Sequence, residues 1–108
     1  MDSPGVHQMV ESIIGCKWSL SVLSLVRSGV CRPGEMERSI AGLSGKVLNE
    51  RLAKLQRFGI LEKTSFAEVP PRVEYHLTAF GRQFIGLVDA VDQLQNSLNG
   101  RPEEPDNS

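Results

Sequence analysis

Apolar residues recur along this chain with two different periods, and the places where the period changes mark its elements. Val6, Met9, Val10, Ile13 and Ile14 fall at i, i+3, i+4, i+7 and i+8, one face of a short first helix. Gly15 interrupts it, and Trp18, Val22, Leu25 and Val26 mark a second helix that ends near "RSGV". In "RPGEMERSI", Pro33 suits a first helical position, Glu35 and Glu37 favour a helix N-terminus, and Met36, Ile40 and Leu43 form the stripe. Gly42 supplies the turn that ends this helix. Ser44 offers an N-cap hydroxyl to the next one, whose Leu48, Leu52 and Leu55 repeat at i, i+4 and i+7 until Gly59 closes it.

Beyond Gly59 the period becomes two. "ILEKTSF" and "RVEYHL" read as short strands, the second with Val73, Tyr75 and Leu77 on one side and Arg72, Glu74 and His76 on the other. Between them "AEVPP" makes a stiff, exposed tip, because Pro70 and Pro71 cannot donate to a ladder. Thr78 then caps a long helix in which Phe80, Phe84, Leu87, Val91, Leu94 and Leu98 alternate spacings of four and three. A small domain does not need so long a seam for its own core, so this helix reads as a dimerisation element; a helix lying across its own domain is the alternative. The order is that of a mainly α fold with a small β-hairpin, a winged helix-turn-helix over residues 1–98. The remainder, 99–108, reads as a frayed acidic tail.

Composition sharpens this only in places. At 108 residues and 40% hydrophobic, the chain is one ordinary domain without an apolar run of membrane length or a signal-like start. Two cysteines are too few for a disulfide scaffold, so a reducing cytoplasm is the expected compartment. The net charge of −1 hides an asymmetry: from Arg27 to Arg82 there are ten Lys/Arg against six Asp/Glu, and elsewhere two against seven. No phosphate-cradling glycine loop, HExxH or GxSxG is present, so the chain is not expected to be an enzyme.

The second helix of a helix-turn-helix lies in the DNA major groove with its N-terminal residues nearest the base edges. At 100° per residue, Asn49, Glu50, Ala53 and Arg57 lie within about 60° of Lys46, while the three leucines point away. Lys46 suits phosphate or guanine, Asn49 adenine and Glu50 cytosine, and Ala53 leaves room for close approach. Arg51 and Lys54 sit on a flank where phosphate contacts would fix register, and the N–H groups near Ser44 and Gly45 suit phosphate. The same side chains also describe an ordinary solvated face with a Glu50–Lys54 pair, and a protein-binding winged helix is the rival function. The proline-tipped hairpin that follows favours DNA.

Together "IIGCKWSLSVLSLV", "GLSGKVLNERLAKLQRFGILEK" and "EVPPRVEYHLTAFGRQF" resemble the HxlR-type winged-helix regulators, relatives of the MarR group, over about residues 5 to 98. "VPPRVEYHLT" followed by Gly81 is the most specific part, then Ser44, Lys46, Leu48, Arg51 and Leu52. The resemblance implies a homodimeric transcription factor, by family habit a repressor, on a pseudo-palindromic double-stranded operator. It places DNA contacts at Ser44, Lys46, Asn49, Arg51 and Arg72, with Asn49 where Thr is more usual. It builds the dimer from the first and last helices, here Val6, Met9, Val10 and Ile13 with Phe84, Leu87, Val91, Leu94 and Leu98. No cofactor or metal is implied.

Relatives of this type that sense oxidants or electrophiles carry a cysteine about thirteen residues before the tryptophan, a position held here by Gly5. Cys16 instead occupies the second glycine of the family's "GGKW". It precedes Lys17 at an expected helix N-terminus, two features that favour thiolate, and is the candidate redox switch. A small apolar side chain filling space near an interface is the other reading. His7, Cys16, Cys31 and His76 are nominal metal ligands, but their spacing matches no common zinc module. Trp18 and Tyr75 read as core aromatics.

Overall fold

The computed structural model describes residues 5–100, and within them every expected element appears, but the third helix stops at Ser39, where Ile40 turns extended, so Ile40, Gly42 and Leu43 follow that helix instead of belonging to it. In chain order these are α1 (Val6–Ile14), α2 (Lys17–Arg27), α3 (Pro33–Ser39), α4 (Gly45–Arg57), β1 (Leu61–Phe66), β2 (Arg72–Leu77) and α5 (Ala79–Asn99). Helix α5 runs past residue 98 to a cap at Gly100, so the expected boundary of the domain falls inside the helix. Residues 101–108 of the expected tail lie outside the described residues.

At Gly15 the chain bends by 97° between α1 and α2. Helix α2 buries Ser19, Val22, Leu23 and Val26, a face turned from the one expected, which leaves Trp18 and Leu25 half-buried. The reason is that α2 packs against α1, α4 and β2 at once, and a stripe serving three neighbours is centred by them. Met36 of α3 and Leu48, Leu52 and Leu55 of α4 complete the centre of the core with Ile13, Leu23, Ile60 and Leu61. Tyr75 is a core aromatic, as read.

Helix α4 ends where its polar groups can be satisfied. Gly59 takes φ +76°, the Ile60 N–H reaches back to the Leu55 carbonyl at 3.0 Å, and the Gly59 N–H to Gln56 at 2.9 Å. The chain then enters β1, which pairs antiparallel with β2 from Leu61↔Leu77 to Phe66↔Arg72. The segment before α3 joins this hairpin, since the Tyr75 N–H donates to the Cys31 carbonyl at 2.8 Å.

Helix α5 starts against this junction. The Thr78 hydroxyl donates to the Gly59 carbonyl and accepts from the Gly81 N–H at 2.9 Å, while the Thr78 N–H donates to Ile60 at 3.0 Å. A Cβ at Gly81 would lie 2.1 Å from the Ile60 carbonyl oxygen. Further along, Arg27 at the end of α2 makes a bidentate pair with Asp89 at 2.5 and 2.8 Å. From residue 91 onward every α5 residue is exposed.

Gly81→Ala is therefore expected to lower stability by about 1–3 kcal/mol or more in urea unfolding, because backbone must move. Gly86→Ala on the same helix, with open space around it, should instead leave stability unchanged or raise it by up to about 1 kcal/mol.

Candidate nucleic-acid interface

The three leucines that anchor α4 point its other face outward. Lys46, Asn49, Glu50, Ala53 and Arg57 are exposed on that face. The Ser44 hydroxyl accepts from the Val47 N–H at 3.2 Å, which fixes where the helix begins. A contact between helices was not legible in the sequence: the Glu37 carboxylate lies 3.2 Å from where a Gly45 Cβ would be. Glu37, expected to serve the start of α3, stands instead at the positive end of α4. Gly45 leaves it the space.

The two expected flank ligands of phosphate, Arg51 and Lys54, are both half-buried at the edge of this face. The Lys54 Nζ donates to the Ser12 carbonyl at 3.0 Å, in the last turn of α1. An ammonium group on the C-terminal carbonyls of a helix meets both a hydrogen-bond acceptor and the negative end of the dipole. Arg51 is half-buried beside it, 3.9 Å from Glu50. Glu50 thus has Arg51 rather than Lys54 as its ion-pair neighbour.

The hairpin carries Arg72 at its outer end. The guanidinium lies 4.0 Å from the Phe66 ring centroid, its paired neighbour across the strands. Two carboxylates hold it, Glu68 at 3.4 Å and Glu74 at 3.5 Å. A hydrogen bond from His76, with Arg72 and Arg32 nearby, keeps the Glu74 carboxyl below its ordinary value. Arg72 and Arg32 also line a groove of about 600 Å³ between the hairpin and α3, together with Arg38 and Glu35.

Behind α4, Cys16 is the N-cap of α2. Burial pushes its thiol up, but the neighbouring Ser19 hydroxyl and N–H, which sit close without a formed hydrogen bond, and the charges of Lys54 and Arg51 bring it down to about 7. Lys17, the activating neighbour expected from the sequence, instead extends over the Trp18 ring at 5.1 Å. The cations near the thiol are thus those of α4, brought there from far along the chain.

The sequence profile described as HxlR-like helix-turn-helix matches residues 13–102. The chain belongs to this HxlR-like family. Its curated relatives include the uncharacterized HTH-type transcriptional regulator sll1512 of Synechocystis, 38% identical over 81% of this chain. Another is YtcD of Bacillus subtilis, likewise an uncharacterized HTH-type regulator, 32% identical over 73% of this chain. The matches span 64% and 63% of those relatives' own lengths. Among solved structures, a MarR-family transcriptional regulator from Enterococcus faecalis V583 superimposes with a TM-score of 0.78 at 30% identity, covering 92% of this chain and 90% of its own. The redox regulator HypR in its reduced form gives 0.75 at 27% identity, covering 89% and 95%. The winged helix expected from the sequence is therefore the fold.

The expected seam residues of this HxlR-like chain fall into two sets. Met9, Ile13 and Phe84 are 6%, 0% and 3% exposed, members of the chain's own core, and Val10 packs against it. Val6, Leu87, Val91, Leu94 and Leu98 remain exposed on α1 and α5.

Ionisation of Cys16 near neutrality has a direct readout. Alkylation by iodoacetamide should rise with pH about a midpoint near 7. Lys54→Met should move that midpoint upward and slow the reaction at pH 7. Because the folded thiol is more acidic than the unfolded one, its contribution to stability is full above about pH 9 and is lost as pH falls through about 7.

Proposed function

We propose that this chain is a sequence-specific DNA-binding transcriptional regulator that acts in the cytoplasm as a homodimer. The observation that carries this reading is the outward face of α4: Lys46, Asn49 and Glu50 stand exposed in the first two turns, on a helix whose other side is locked into the core. Side chains of these types suit base edges and phosphates, and a rigid helix presents them in one register. Ser44, Gly45 and the hairpin residue Arg72 complete the contact surface, with Arg57 supplying charge farther along. Arg51, half-buried beside Glu50, flanks this surface as a phosphate contact, and Lys54 does so from its place against α1. The names of the relatives support the same reading.

The exposed stripe of Leu87, Val91, Leu94 and Leu98 with Val6 is the natural dimer surface. Leu94 and Leu98 are 73% and 56% exposed, and a helix that offers such side chains at heptad spacing is stabilised when a second copy covers them. Pairing through α5 would set two α4 helices about 34–36 Å apart, one turn of DNA, and a pseudo-palindromic operator follows from that symmetry. Repression is the family habit and the reading adopted here.

Cys16 makes the regulator redox-responsive in this reading, in line with the redox regulator HypR among its structural neighbours. Its thiolate attacks a peroxide oxygen; the O–O bond breaks, sulfur is oxidised to sulfenic acid, and the leaving oxygen departs as hydroxide or alkoxide that takes a proton from water. The thiolate charge that faces Lys54 and Arg51 is thereby lost, directly behind α4.

Selection of bound sequences from random duplexes, followed by anisotropy titration over a range of salt, tests the DNA reading. A steep negative slope of log affinity against log salt is expected. Lys46→Ala and Arg72→Ala should weaken binding, and Cys16→Ser should bind normally yet lose the response to peroxide. Absence of DNA affinity at low salt would overturn the reading in favour of a protein-binding winged helix. In sedimentation, the chain should behave as a dimer, and Leu94→Glu combined with Leu98→Glu as a folded monomer with weakened operator binding.

A further inference from the structure

The sequence spacing of cysteine and histidine gave no reason to expect a metal, yet the fold assembles three ligands of different chemistry at the base of the hairpin. The Cys31 sulfur, a Glu74 carboxylate oxygen and a His76 ring nitrogen all lie within 4.8 Å of one another. We propose that Cys31, Glu74 and His76 form a binding site for a zinc-like divalent transition metal.

The backbone puts these groups together. Glu74 and His76 are two residues apart on β2, so their side chains leave the same face. Cys31 reaches that face because its carbonyl accepts from the Tyr75 N–H at 2.8 Å, which lays the segment before α3 along the strand. His76 and Glu74 already point at each other at 3.0 Å. A tetrahedral ion with its sulfur ligand at about 2.3 Å and nitrogen or oxygen at about 2.0–2.1 Å needs ligand atoms roughly 3.5 Å apart. Side-chain rotations of about 1 Å close the site, and the exposure of His76 permits them.

The donor set selects the ion. Thiolate and imidazole exclude calcium and magnesium, which take oxygen ligands, and the mixed sulfur, nitrogen and oxygen set suits zinc. On binding, the Cys31 thiol loses its proton to solvent as the sulfur–metal bond forms, and thiolate with carboxylate supplies two negative charges to balance the dication. One coordination position is left for water. Arg32 and Arg72 compete for Glu74, but at 3.8 and 3.5 Å, longer than well-formed hydrogen bonds, and both are partly solvated. Such contacts are worth at most about 1 kcal/mol each and are readily exchanged for coordination. The bound ion would tie the entry to α3 to the hairpin through side chains as well as the single backbone bond.

The test is a titration of the reduced, chelator-stripped chain with cobalt(II), a spectroscopic substitute for zinc. One cobalt per chain is expected, with a thiolate-to-metal charge-transfer band and the strong visible bands of a four-coordinate ion, both removed by zinc. Cys31→Ser should abolish the charge-transfer band. His76→Gln and Glu74→Gln should weaken binding more than about tenfold. Cys16→Ser should change nothing. His76 is exposed, so its variant keeps the fold, which far-ultraviolet circular dichroism reads independently. Binding well below one equivalent, a charge-transfer band that survives Cys31→Ser, one that is lost in Cys16→Ser instead, or unaltered affinity in His76→Gln would overturn the assignment.

Discussion

Helix α5 begins so close to the Ile60 carbonyl that no side chain fits between them, and the rest of the molecule is organised around that contact. Ile60 is the residue at which α4 has just ended and β1 is about to start. Thr78 ties both sides of this point to the first turn of α5 through its hydroxyl and its N–H. Three elements therefore share one joint made mostly of backbone, which has few alternative arrangements at low energy. The Arg27–Asp89 pair fixes α5 a second time, to the end of α2.

The polar residues of α4 are divided between two tasks by simple electrostatics. A partly buried ammonium group loses hydration, and Lys54 recovers it from the Ser12 carbonyl and the dipole of α1. A hydrogen bond to a charged group is worth about 1.5–3 kcal/mol, more than a solvated contact on the surface returns. Lys54 therefore stays against α1, where its charge and that of Arg51 add to the effect of Ser19 on Cys16. Lys46 and Asn49 have no such inward partner among the described residues, Glu50 meets only Arg51 at 3.9 Å, and all three remain on the outer face. One helix thus turns Lys54 toward α1 and the Cys16 N-cap of α2, and Lys46 and Asn49 toward solvent.

What could be read beforehand follows from the range of each interaction. Helix and strand positions are local, and both strands, the Ser44 and Thr78 caps and the stop at Gly59 are legible as turn chemistry and period. The burial of Leu48, Leu52 and Leu55 is legible for the same reason. The face of α2 was not, because three neighbours decide its centre and periodicity knows none of them. Lys54 lies at the edge of the α4 stripe, where spacing alone does not distinguish a flank from a partly buried position. Glu37 beside Gly45, Lys54 near Cys16, and Cys31 beside Glu74 and His76 are all meetings between separate elements. Only the packing brings them together.

Glu74 shows how such a meeting alters the role of a residue that the sequence had placed on a plain strand face. It is within ion-pair reach of Arg32, Arg72 and His76 at once. Arg72 in turn stands between Glu68 and Glu74 over the Phe66 ring, so a DNA phosphate must compete with two carboxylates for it. Partly solvated ion pairs contribute at most about 1 kcal/mol each, while a phosphate contact also releases counterions, so the exchange is near balance. A near-balanced contact is the kind that small changes control. Any group that occupies Glu74 removes one of the two restraints on Arg72, and any group that removes the charge of Arg72 leaves Glu68 and Glu74 facing the phosphate unscreened. Under the proposed DNA reading, what Arg72 can offer a phosphate is therefore set by Glu68, Glu74 and the groups around them.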